Sequence, residues 1–152
     1  MKKRVLAVGV MLVLGAGTSP TALAQSKPEV LVKQRQAAMT LQGKYFFPMA
    51  AMAQGKVPFD ASVAARNAAY LEALSKMPWD GFDPSTANAK SNALPAVFKE
   101  PAKFKEAQDR LQSEVGKLVA ATKGGDEGAT KAAIGAVGKS CAGCHDNFRQ
   151  ND

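Results

Sequence analysis

The 152-residue chain contains one histidine, two cysteines, one tryptophan and two tyrosines. One histidine and two thiols fall short of the four ligands of a structural zinc site, and there is no second Cys or His pair to complete them. Alternating runs of β-branched residues are missing, which argues against a sheet. The formal net charge of +7 comes without any cluster of Lys and Arg interleaved with aromatics, so nucleic-acid binding is not indicated. Asp and Glu are scattered along polar faces. No pair of them is spaced for acid–base catalysis, and the chain does not read as an enzyme.

One apolar run is present, and it lies at the start. Lys2, Lys3 and Arg4 precede Val5 to Gly17, which is too short for a comfortable membrane span. Thr18, Ser19 and Pro20 interrupt it, and Ala22-Leu23-Ala24 is a small-x-small cleavage site. Residues 1–24 therefore read as a cleaved secretory signal peptide, with an uncleaved anchor as the alternative. The expected mature chain, 25–152, is one soluble periplasmic domain with no membrane segment. Loss of the three early cations takes the formal charge from +7 to +4, so part of the basic balance belongs to targeting.

Near the other end stands Cys141-Ala142-Gly143-Cys144-His145. Two cysteines separated by two residues and followed by histidine form the pattern for covalent attachment of a c-type haem. Two thiols meet the two vinyl groups on one porphyrin edge, and the next imidazole is placed to ligate the iron. A thiol–disulfide redox pair would leave the histidine without a role. A disulfide between residues three apart would constrain little. One covalent haem c per chain uses Cys141, Cys144 and His145 together.

From Gln25 onward the pattern is helical. Leu31, Arg35, Ala38, Leu41, Tyr45, Met49 and Met52 recur at steps of three and four, predicting a helix from 29 to about 54 that is kinked at Pro48. Asp60 reads as the N-cap of a second helix whose face, Val63, Asn67, Tyr70, Leu71 and Leu74, runs to about Met77. Residues 78–98 read as a long loop whose aromatics, Trp79 and Phe82 among them, tuck it against the core or the haem edge. A third helix begins near Pro101 with Phe104, Ala107, Leu111, Val115 and Leu118 as its buried stripe, and Gly124-Gly125 breaks it. The fourth starts near Asp126 and sets Ile134, Val137, Cys141, Cys144 and Phe148 on one side. The expected fold is all-α, an antiparallel up-down-up-down four-helix bundle. Since nearly the whole chain precedes the motif, the last helix carries the haem into a pocket made by the other three.

Four segments together resemble the cytochromes c′, the class II c-type cytochromes. They are Cys141 to Arg149, Lys33-Gln34-Arg35-Gln36-Ala37-Ala38-Met39, Ala50 to Lys56, and Pro78-Trp79. The similarity covers residues 27–150. It implies His145 as proximal axial ligand, Cys141 and Cys144 as thioether anchors, and Arg149 beside the proximal face. It further implies Arg35 and Gln36 at the haem propionates and Met39 over the distal face. A buried Arg35 also wants an anion on general grounds.

Met39 leaves two functions open. As a blocking group it gives five-coordinate iron that binds small uncharged diatomics such as NO or CO. As a ligand, its thioether gives a low-spin six-coordinate electron carrier. The neighbouring sequence resembles the high-spin members of that family more closely, which implies the five-coordinate form. The resemblance also implies a homodimer through helices one and two, with Phe46, Phe47, Met49 and Ala68 or Ala69 as candidate contacts.

Overall fold

The computed structural model describes residues 27–150. The expected signal peptide, 1–24, and the first mature residue, Gln25, lie outside the described residues. Within them the chain forms five helices: α1 (Pro28–Ala53), α2 (Ala61–Leu74), the short α3 (Ala96–Lys99), α4 (Pro101–Gly124) and α5 (Glu127–Phe148). The four long helices are the bundle. α1 packs on α2, α2 on α4, α4 on α5, and α5 returns to α1, closing the ring.

Local chemistry sets the helix ends. Pro28 occupies the first turn of α1, where its missing amide costs nothing, with Glu29 beside it near the positive end of the dipole. The Asp60 carboxylate accepts from the Ser62 and Val63 amides, and Asp126 accepts from Ala129. Between α4 and α5, Gly125 takes the left-handed conformation at φ 74°, which a side chain would resist. α1 runs unbroken through the exposed Pro48.

The core consists of Met49, Ala68, Leu71, Leu111, Val115, Leu118, Ile134 and Val137, with Trp79 and Cys141 packed against it. The stripes of α4 and α5 thus follow their predicted phase. α1 departs from it. Leu41 is 41% exposed, and the neighbouring Gln42 is buried instead, its Nε2 donating to the Leu74 carbonyl at 3.1 Å. The end of α2 supplies an acceptor there, so a polar residue takes the inner position. α2 ends at Leu74, short of Met77, and Ala64 and Ala68 replace Val63 and Tyr70 on its buried face. Tyr70 is half-exposed and packs on Tyr45 with ring centroids 4.9 Å apart, outside the core.

Two of the expected dimer contacts are also corrected. Met49 and Ala68 are completely buried inside the protomer, filling its own α1–α2 seam, so neither is available to a second copy.

The stretch 78–98 is more ordered in its backbone than a plain loop. It contains two single helical turns, Trp79–Phe82 and Pro84–Thr86, and runs into α3. Its aromatics hold it down as expected. Phe82 packs edge-on against Phe104 of α4 at 4.9 Å, and Phe104 against Phe148 of α5 at 5.2 Å. The Trp79 indole also donates to the Ser75 carbonyl at 2.7 Å.

Candidate haem site

A cavity of about 900 Å³ opens beside the last helix, at the upper end of the range for ligand and cofactor sites. α1, α4, α5 and the crossing segment all contribute walls. Most of the lining is apolar or aromatic, including Phe46, Leu71, Trp79, Phe82, Phe104, Leu111, Val137 and Phe148. Arg35, Gln36, Met39, Cys141, Cys144, His145 and Arg149 all line the same space, although more than a hundred residues separate the first three from the rest.

The phase of α5 explains the placement of the motif. Ile134, Val137 and Phe148 are buried, and Cys141 and Cys144, on the same stripe, are half-buried at the cavity wall. Burial pushes the Cys141 thiol up, and burial followed by the neighbouring Cys141 pushes Cys144 up to about 11. A redox-active pair needs a lowered thiol pKa, so this environment does not support a thiol–disulfide catalyst. Among the described residues no group of three or more His, Cys, Asp or Glu could hold a metal ion by itself.

His145 stands at the rim. Partial burial, and then the charge of Arg149, hold its pKa below the usual histidine value, with Asp146 opposing. Both effects favour the neutral imidazole, the form that ligates iron. Arg149 is not the last residue of the helix. Its backbone turns extended at φ −124°, ψ 137°, and it forms an antiparallel bridge with Ala93 of the crossing segment.

Arg35 is 3% exposed. Its Nη1 donates to the Gly81 carbonyl at 2.7 Å and to Thr86 Oγ1 at 2.9 Å, and its Nη2 donates to Ser91 Oγ at 2.9 Å. All three acceptors are neutral. Desolvation lowers its pKa, but a guanidinium remains charged. A buried cation with only neutral acceptors, facing an apolar cavity, suits a cofactor that carries carboxylates. Gln36 is exposed and Met39 half-buried, one after the other along the α1 wall.

The partners of Arg35 were not anticipated from sequence. Gly81, Phe82, Thr86 and Ser91 lie 46 to 56 residues beyond it. The only signal was a cationic residue on an apolar stripe followed by a Gly- and Ser-containing segment.

The family model described as Cytochrome C' matches residues 30–149. The chain belongs to the cytochrome c′ family. As a member it carries haem c, and its two cysteines suit covalent attachment. It is 47% identical over 125 residues to a cytochrome c' from Rubrivivax gelatinosus, covering 82% of this chain and 97% of the relative. The crystal structure of the Rubrivivax gelatinosus protein aligns with a TM-score of 0.79 over 82% of this chain and 98% of that one. Cytochrome c prime from Shewanella frigidimarina aligns at 0.80 with 35% identity, covering 84% and 99% of the two chains. A nitric oxide complex of a variant of cytochrome c prime from Alcaligenes xylosoxidans aligns at 0.77 with 39% identity, covering 83% and 98%. The fold and cofactor class of the cytochrome c′ family thus agree with the bundle and the cavity described above.

Proposed function

We propose that the chain is a periplasmic five-coordinate haem protein that binds NO or CO, acting as a binder or carrier and not as an enzyme. Cys141 and Cys144 would hold the haem through thioether bonds, and His145 would supply the imidazole that ligates its iron. When bound, the haem would supply an iron able to take a small neutral diatomic. Arg35 and Gln36 hold the propionates. Met39 covers the distal side and excludes bulky or charged ligands. Arg149 keeps a positive charge beside His145.

The observation that carries this reading is the meeting of Met39 from α1 and His145 from α5 in one cavity, with the carboxylate-free cation Arg35 on its wall. The nitric oxide and carbon monoxide complexes of variants of cytochrome c prime from Alcaligenes xylosoxidans add to it. The test is the absorption spectrum of the reduced holoprotein with and without CO. A high-spin spectrum that shifts promptly on CO addition is expected, and a low-spin spectrum indifferent to CO would overturn it.

The thioether of Met39 is the specific observation behind a second reading, a low-spin His/Met electron carrier.

Residues 1–24 act in this account as a signal that delivers 25–152 to the periplasm as one domain. Among the described residues, no helix is long and apolar enough to cross a membrane. Two copies pair through the outer faces of α1 and α2, where Leu41 and Tyr70 are exposed at 41% and 47%. Sedimentation of the mature holoprotein checks the pairing, and a monomer at micromolar concentration would contradict it.

A further inference from the structure

Two hydrogen bonds converge on the hydroxyl of Ser91. Its Oγ accepts from Arg35 Nη2 at 2.9 Å and from the Ala93 amide at 3.3 Å. Ala93 is bridged to Arg149. On either side of that bridge the Leu94 amide donates to the Phe148 carbonyl at 2.9 Å, and the Gln150 amide donates to the Asn92 carbonyl at 2.8 Å. One side-chain oxygen thus stands between a buried guanidinium on α1 and the residue that leaves α5 beside His145.

Arg149 has departed from helical geometry, so α5 alone does not set its direction. The antiparallel pairing with residues 92–94 sets it together with the bond from the Arg149 amide back to the His145 carbonyl at 3.0 Å. Backbone pairing of one bridge is weak in isolation, and it persists where something else orders the partner strand. Here the Ser91 hydroxyl ties that strand to Arg35, which is itself immobilised by Gly81, Thr86 and the Phe82 ring.

We propose that Ser91 is a positioning residue: by fastening residues 91–94 to Arg35, it fixes the backbone from which Arg149 reaches the His145 side of the haem cavity. This rests on the proximal assignment of His145 and Arg149 made above. Thr86 supplies the contrast. It also accepts from Arg35, but its own hydroxyl donates to the Asp83 carbonyl within the first half of the segment and makes no bond toward α5.

The experiment compares the holoproteins of wild type, Ser91→Ala, Ser91→Thr and Thr86→Val by amide hydrogen exchange and by the iron–histidine vibration of the reduced haem. In Ser91→Ala, protection of the Leu94 and Gln150 amides falls about tenfold, the scale of one hydrogen bond, while Val115 in the core keeps its protection. The iron–histidine band shifts in the same variant, and Ser91→Thr restores both signals. Thr86→Val, which leaves Arg35 held by the Gly81 carbonyl and the Phe82 ring, moves the Leu94 and Gln150 amides and the band clearly less than Ser91→Ala does.

Loss of protection with an unmoved band reduces Ser91 to a purely structural role and overturns the proposal. A shifted band with unchanged protection assigns Ser91 a direct action on the haem and overturns it too, as do equal effects from Thr86→Val. Failure of the underlying assignment is seen separately, in the wild-type protein, as the absence of a five-coordinate iron–histidine band.

Discussion

The guanidinium carbon of Arg35 lies 4.4 Å above the centre of the Phe82 ring. That contact joins a helix formed early in the chain to the segment that crosses between the two halves of the bundle. With the hydrogen bonds to Gly81, Thr86 and Ser91, it makes Arg35 the attachment point of that segment as well as a wall of the haem cavity.

Removing the attachment takes a donor from the Gly81 carbonyl and from the Thr86 and Ser91 hydroxyls, of which Ser91 keeps its bond from the Ala93 amide. Arg35→Ala is expected to lower the stability of the holoprotein by about 2–4 kcal/mol in urea unfolding. Arg35→Lys recovers only part of this, because an ammonium cannot reproduce the planar fork or the stacking on Phe82. A lysine variant as stable as wild type would show that charge alone matters.

Close packing at the same place leaves no room for a side chain on residue 81. A Cβ on Gly81 would stand 2.7 Å from Arg35 Cβ and 2.8 Å from the Leu31 carbonyl oxygen. Neither atom is the far end of a flexible group. Gly81→Ala should cost about 1–3 kcal/mol by thermal unfolding. An unchanged melting temperature would contradict the packing.

The cap of α2 gives a pH signature. Hydrogen bonds from the Val63 amide and from Ser62 hold the Asp60 carboxyl below its ordinary 3.8. A lowered carboxylate pKa stabilises the fold above the unfolded value, and the benefit is lost as pH falls through the folded one. Melting curves of wild type and Asp60→Ala are therefore expected to differ at neutral pH and to converge below pH 3.8. A gap that stays constant into acid would exclude the charged cap.

Attachment chemistry is checked by extraction into acidified organic solvent. The Cys141→Ala/Cys144→Ala double variant should release its haem, and either single variant should retain it through the remaining thioether. Release from wild type would remove the covalent assignment.

The helices, their caps and the haem-attachment spacing are legible in the sequence. The spacing of Cys141, Cys144 and His145 depends only on local chain geometry, and Asp60, Asp126 and Gly125 act within one turn of their own positions. Those features survive translation from sequence to structure because nothing distant is needed to produce them. The failures share the opposite property. Gln42 is buried and Leu41 exposed because an acceptor at Leu74, 32 residues away, rewards the amide. Met49 and Ala68 face inward because α1 and α2 meet each other there before any second copy could cover them. Arg149 leaves the helix because Ala93 offers backbone pairing that periodicity cannot reveal.

The central claim is that Met39 covers the iron without binding it, and the Met39→Ala holoprotein tests this most directly. The reduced, unligated spectrum of the variant should match that of wild type, high-spin in both, while CO binds the variant faster because a blocking side chain has been removed. A wild-type spectrum that is low-spin and turns high-spin only in Met39→Ala would make the thioether an axial ligand and the protein an electron carrier.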